Sequence, residues 1–162
     1  MPTVDLPLQA DLAFRLLAAA FLGGAIGFER EIHNHPAGTR THLLVSLGSA
    51  IFTELSIYGF AGLSVAGATG TVDAVDPTRI AAQIVTGVGF LGAGAILKSG
   101  RSIHGLTTAA SLWTAAAIGM AAGAGAWLIA LVATLIVFVS LWPLRALDAR
   151  IHRNGGQPQR ED

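Results

Sequence analysis

Five apolar stretches, each close to the length of a bilayer-crossing helix, constrain this chain more than any other feature. They run from about Asp11 to Phe28, Thr41 to Phe60, Pro77 to Leu97, Leu106 to Ala122 and Ala126 to Leu147. A helix needs about 20 residues to cross roughly 30 Å of hydrocarbon, and lipid offers backbone N–H and C=O groups no partners. Charged residues make up 12% of the chain and hydrophobic ones 52%. That leaves too few polar side chains to coat a water-facing surface. The expected fold class is all-α, a polytopic membrane helical bundle of about five transmembrane helices. Residues 1–147 form the transmembrane domain and residues 148–162 a flexible cytoplasmic tail. The 20 glycines suit close helix contacts in a membrane.

Charge sets the expected orientation. Arg30 and Arg40 follow the first stretch, Lys98 and Arg101 the third, and Arg145, Arg150, Arg153 and Arg160 the fifth. Asp5, Asp11, Asp73 and Asp76 fall on the other side. Basic residues mark the cytoplasmic side, so the N-terminus is expected outside and the C-terminus inside. The first residues, MPTVDLPLQAD, carry no positive charge and do not read as a cleavable signal peptide. Asp76 and Pro77 read as the cap and first position of the third helix. Gly62 to Val72 reads as an outer loop, Trp142-Pro143 as an interfacial anchor and kink, and the residues from Arg153 as a disordered tail. The ten acidic and ten basic residues cancel, which implies no nucleic-acid partner; the lipid bilayer is the expected one. With no cysteine, disulfide and thiolate chemistry are excluded.

Within this topology the most unusual segments converge on one side. GFERE (Gly27–Glu31), TRTH (Thr39–His42), GVGFLGAGAILK (Gly87–Lys98) and HGLTTAASLW (His104–Trp113) all reach the cytoplasmic face. The charged island between the first two stretches therefore reads as part of a cytoplasm-facing site. GAIGFERE, AGTRTHLLVSLGSAIF, DPTRIAAQIVTGVGFLGAG and GLTTAASLWTAAAIGMAAGAG resemble, in order and spacing, the signature segments of the MgtC/SapB family, from about Gly23 to Gly125. The resemblance implies a bacterial inner-membrane protein of about five spans. Some members are associated with growth in low magnesium and survival inside phagocytes. One branch is reported to restrain the rotary ATP synthase and carries a soluble ACT-like C-terminal domain. The sequence ends at Asp162, so a short form without that domain is expected.

The candidate polar site comprises Glu29, Arg30, Glu31, Arg40, Thr41, His42, Gly92, Gly94, Thr107 and Thr108. Two helix N-termini meet there, with Arg40 and Thr41 at one and Thr107 and Thr108 at the other. Their free N–H groups favour an anionic group, either Glu29 or Glu31 or an outside ligand. Gly23 with Gly27, and Gly119 with Gly123, have the four-residue spacing of close helix packing. Gly87, Gly89, Gly92 and Gly94 either unwind the third helix to expose carbonyls or allow a neighbour to cross closely. Thr107, Ser111 and Thr114 share a face, which either bonds back to its own helix or lines a cavity. His33 and His35 make a weak metal pattern, so the metal question stays open. Arg15, Glu54 and Arg79 lie in the outer half, where Glu54 is expected to pair with Arg15 or Arg79.

No cofactor is expected, and the absence of HEXXH, P-loop, Ser-His-Asp and dinucleotide patterns argues against an enzyme. The expected function is ion, especially magnesium, or membrane-energy homeostasis through the cytoplasm-facing site. The alternatives are a small transporter or channel, or a regulatory subunit bound to another membrane complex such as the ATP synthase. A homo-oligomer fits a chain this thin. Transport predicts a water-accessible cavity lined by Glu29, Arg30, Arg40 and the Thr107 face. Regulation predicts a sealed polar cluster and a lipid-facing groove of small residues.

Overall fold

A computed structural model describes residues 5–59 and 78–141. Helix α1 spans Leu6–Ile32 and α2 Thr39–Glu54, continued by one π-helical turn over Leu55–Gly59. Helices α3, α4 and α5 span Thr78–Ala95, Leu106–Gly123 and Trp127–Leu141. A small antiparallel hairpin, β1 (Leu97–Ser99) and β2 (Ser102–His104), joins α3 to α4. Each helix lies on one of the five apolar stretches. Two of them, α1 and α4, are long and apolar enough to cross a membrane. At 1.5 Å per residue α1 is roughly 40 Å long and outreaches the hydrocarbon, which explains why it begins before and ends after the apolar run.

Local chemistry sets the helix ends. Asn34, at φ 56°, takes the left-handed conformation after α1. His35 N–H then donates to the Arg30 carbonyl and Asn34 N–H to the Glu31 carbonyl, both at 3.0 Å. This is the paired C-terminal bonding of a Schellman motif, and Pro36 follows where the helix cannot continue. At the start of α4, Gly105 has φ 86°, and a Cβ there would collide with the Ala95 carbonyl, so only glycine closes the turn from the hairpin. The expected helix start at Asp76–Pro77, the outer loop over 62–72, the Trp142-Pro143 kink and the tail lie outside the described residues.

Helix α2 is the axis of the bundle and packs on α1 and α4; α3 rests mainly on α4, and α5 on α4 and α1. Glycine makes this possible. A Cβ at Gly27 would sit 2.6 Å from the Gly38 carbonyl oxygen, and one at Gly123 2.7 Å from that of Ala50. Gly23 and Gly119 clamp Ser46 from opposite sides, Gly23 against its Cβ and Gly119 against its carbonyl oxygen. Both expected four-residue glycine pairs are therefore packing sites, and both close on α2.

The Gly87–Gly94 run behaves otherwise. Helix α3 is continuous through it, so the expectation of an unwound segment is corrected. Nor is the run crossed closely: a Cβ added at Gly87, Gly89 or Gly94 would meet nothing within 4 Å, and Gly92 alone touches α4, at Ala109. The carbonyls of Gly87 and Gly89 lie inside the continuous helix, and those of Gly92 and Gly94 fall in its last turn, where Ile96 N–H donates to the Ala93 carbonyl at 3.2 Å.

The distribution of side chains is inverted relative to a water-soluble bundle. Phe90 (81% exposed), Leu128 (76%) and Phe21 (74%) face outward, whereas Arg30 (3%) and Glu54 (7%) are buried. Lipid as the surrounding solvent accounts for this pattern; water would not.

Candidate functional site

The last turn of α1 and the first turns of α2 and α4 converge at the end of the bundle that carries the 33–38 connection and the hairpin. On α1 the buried residues Ala19, Leu22, Gly23, Ile26, Gly27 and Arg30 recur every three or four positions. That phase carries Arg30 inward. On α2, His42, Ser46, Ser49 and Thr53 recur in the same way and are buried. On α4, Thr108 and Ser111 face them, 3% and 4% exposed.

His42, fully buried, is the centre of this cluster. Its Nδ1 lies 3.0 Å from the Gly38 carbonyl, an acceptor, so Nδ1 carries the proton. Its Nε2 lies 3.0 Å from Ser111 Oγ, which is also 2.9 Å from the Thr108 carbonyl. The charges of Glu29 and Arg30 both act on the imidazole, with opposite sign. The Glu29 side chain is 10% exposed, and its Oε1 lies 3.0 Å from His33 Nδ1. Neither carboxylate oxygen has a further hydrogen-bond partner. One helical turn deeper, Ser46 Oγ donates to the Ala19 carbonyl at 2.7 Å and ties α2 to α1.

Glu31 takes the anionic place at the N-terminus of α2. Its Oε2 accepts the Thr39 N–H at 2.9 Å. Hydrogen bonds from Thr39, with the nearby Arg40 charge, hold the Glu31 carboxyl below the usual carboxylate range. Glu31 and Arg40 line a surface groove of about 430 Å³ with Phe28, Ile32 and Thr39.

The structure thus divides the ten candidate residues into three groups. Glu29, Arg30, His42 and Thr108 form the buried cluster. Glu31, Arg40, Thr41 and Thr107 are exposed around its rim. On α3, Gly92 packs against Ala109 of α4 and Gly94 is exposed. The expected Thr107–Ser111–Thr114 face is likewise split: Thr107 is exposed, Ser111 reaches His42, and Thr114 bonds back to the Ala110 carbonyl at 2.8 Å. Ser46 is absent from the set expected from sequence; its signal there is the four-residue offset from His42. The H-x-H pattern is not a chelate: His33 Nδ1 is engaged by the Glu29 carbonyl at 2.8 Å, and no metal-binding group of three His, Asp or Glu exists among the described residues.

A second polar group closes the opposite end. Arg15 pairs with Asp11 at 2.6 Å and donates to Tyr58 Oη and the Gly123 carbonyl, each at 3.2 Å. Its guanidinium also stacks 5.7 Å from the centre of the Tyr58 ring. The expected pairing of Glu54 is corrected here: Arg15 acts on Glu54 through its charge, but its ion pair is with Asp11, and Arg79 is exposed. Asp11 lies four residues before Arg15 on one helix and meets it without any inter-helix adjustment.

Comparison with known proteins supplies the family. The MgtC family matches residues 16–150. The chain belongs to the MgtC family. It is 44% identical over 144 residues to an Escherichia coli protein named "Putative magnesium transporter YhiD", covering 89% of this chain and 65% of that one. It is 43% identical over 138 residues to "Protein MgtC" of Salmonella typhimurium, covering 85% of this chain and 54% of the relative. For "Protein MgtC" of Brucella abortus the identity is 47% over 138 residues, covering 85% and 53%. The chain therefore spans less than two thirds of the length of these relatives. No solved structure matches it. As an MgtC-family chain with an apolar exterior and glycine-clamped helices, it is an all-α membrane protein.

Proposed function

We propose that this chain is a multi-pass protein of the bacterial inner membrane, N-terminus outside, that serves ion homeostasis as a regulatory subunit rather than a conduit. Magnesium is the first ion to consider, given the name of the Escherichia coli relative. The functional site is the Glu29–Arg30–His42–Thr108–Ser111 cluster at the cytoplasmic end. The observation that carries this reading is its closure: Arg30 is 3% exposed, Thr108 3% and His42 0%. A conduit requires the same charged groups to line a water-filled path. A sealed charged cluster instead holds three helices in one arrangement and responds as a unit when its charge changes.

A second observation favours docking to another membrane protein. An apolar groove of about 810 Å³ runs between α2 and α3, lined in part by Gly48 and Gly87. Small residues let a partner helix approach closely in lipid. The test of the cluster is complementation in low-magnesium medium of a strain lacking the native copy. Arg30→Ala and Thr108→Val should insert normally and fail to restore growth. Arg40→Ala, at an exposed position, should restore it. Full restoration by the first two variants would remove the cluster from the function.

A further inference from the structure

The hydrogen bonds around His42 contain a proton count. Gly38 and Thr108 carbonyls, at the two ends of the chain of bonds, can only accept. Between them lie three links: Nδ1 to Gly38, Nε2 to Ser111 Oγ, and Ser111 Oγ to Thr108. A neutral imidazole and one hydroxyl bring two protons to these three links. In that state the hydroxyl donates to Nε2, and the Thr108 carbonyl is left to its own helix. A third proton completes the set: Nε2–H donates to Ser111 Oγ, whose own proton turns to Thr108. Both states fit the same heavy-atom positions.

We propose that the His42–Ser111 pair is a proton-binding site, in which uptake at Nε2 turns the serine hydroxyl from donor to acceptor. This deepens the reading above, on which it rests, by naming the proton as the ligand of the cluster. Every charged group that faces the imidazole has a definable effect. Glu29, from α1, favours the imidazolium; Arg30, also from α1, opposes it. From α4 the facing groups are the neutral Ser111 and Thr108. The Glu29 carboxylate is nine-tenths buried and keeps both oxygens free of hydrogen bonds other than the close approach of His33. Its charge favours a proton on the imidazole. His33, 3.0 Å from Glu29 and partly exposed, is the member of this group on the 33–38 connection.

The uptake is simple in balance. One proton from water becomes bound to the Nε2 lone pair, no covalent bond between heavy atoms changes, and the cluster gains one positive charge. With Glu29 and Arg30 nominally cancelling, the site passes from neutral to +1. The cost of that charge is borne by the carboxylate and the two terminal carbonyls.

The experiment is ¹⁵N NMR of the full chain, histidine-labelled, in lipid bilayers. The sequence has five histidines, and His42→Gln assigns the relevant signals. Spectra are taken from about pH 4.5 to about pH 9, around the range in which imidazole titrates. At the alkaline end His42 should show a protonated Nδ1 and a bare Nε2. On acidification Nε2 should become protonated in a single transition. Ser111→Ala should weaken proton affinity by about tenfold, since a hydrogen bond to the charged form is stronger than one to the neutral form. Glu29→Gln should weaken it as well. An unchanged neutral His42 across the whole range in the parent protein would overturn the proposal, whatever the variants do. So would a transition whose midpoint neither substitution moves. Titration with failed complementation tests above would leave the proton site standing and the homeostasis reading fallen; the reverse pattern would separate them the other way.

Discussion

Substituting Gly119 by alanine tests the packing on which the site depends. The glycine lies on α4 against the main chain of α2. A Cβ would collide with the Ser46 carbonyl oxygen and lie 2.7 Å from its carbonyl carbon. Ordinary contact begins at 3.4 Å, so the carbonyl carbon alone requires the two helices to separate by about 0.7 Å, and the nearer oxygen requires more. The obstacle is backbone, and no rotamer change relieves it. A rigid retreat of that size carries Ser111 away from His42 and stretches their 3.0 Å bond beyond useful length. Overpacking of this kind costs about 1–3 kcal/mol. Better helix propensity returns up to about 1 kcal/mol. The net expectation is a loss of about 0–2 kcal/mol, or about 1–3 kcal/mol relative to a glycine-to-alanine change in open space, measured by reversible unfolding in detergent. Gly94→Ala is the internal control, because its Cβ would meet nothing within 4 Å; it should be neutral or slightly stabilising. Equal stability of the two variants would refute the clamp.

Three further outcomes follow from the same geometry. Arg15→Gln should destabilise the protein by about 1–3 kcal/mol, and a double-mutant cycle should show stronger coupling of Arg15 to Asp11 than to Glu54, read from unfolding midpoints. Glu31→Gln should lower stability at neutral pH; because the folded carboxyl titrates below its ordinary value of 4.5, that difference should be present above this value and vanish as pH falls through the folded one. Cysteines introduced at Ser99 and at Ala124, both exposed and in a chain without native cysteine, should differ in reactivity toward an impermeant thiol reagent in intact cells, Ala124→Cys reacting and Ser99→Cys remaining shielded.

The helices were legible because apolar length is a strong signal in a chain with so few charges. The positions of α3 and α4 differ from their apolar runs by only a few residues. The small-residue pairs were legible as well, since Gly23–Gly27 and Gly119–Gly123 carry their spacing in the sequence. What the sequence left open was phase. The charge rule assigns Arg30 and Arg40 to the same end of the bundle, yet one is buried and the other exposed. The deciding pattern is the run of Ala19, Gly23, Ile26 and Gly27 on α1 and of His42, Ser46, Ser49 and Thr53 on α2. In lipid the buried face is marked by small and polar residues, and apolar periodicity points outward, so the usual search for a hydrophobic stripe finds the wrong side. The Gly87–Gly94 run was unreadable for a different reason: glycine density shows that a face is open, while only tertiary structure shows whether anything occupies it.

The most direct measurement of the central claim is ion flux in sealed liposomes containing the purified chain. Magnesium and proton movement are followed with entrapped indicators under an imposed gradient, with the Arg30→Ala variant in parallel. A closed cluster that regulates rather than conducts predicts flux equal to that of empty liposomes for both proteins. Saturable magnesium or proton flux in the parent, lost in Arg30→Ala, would contradict that account and make the buried cluster part of a conduction path.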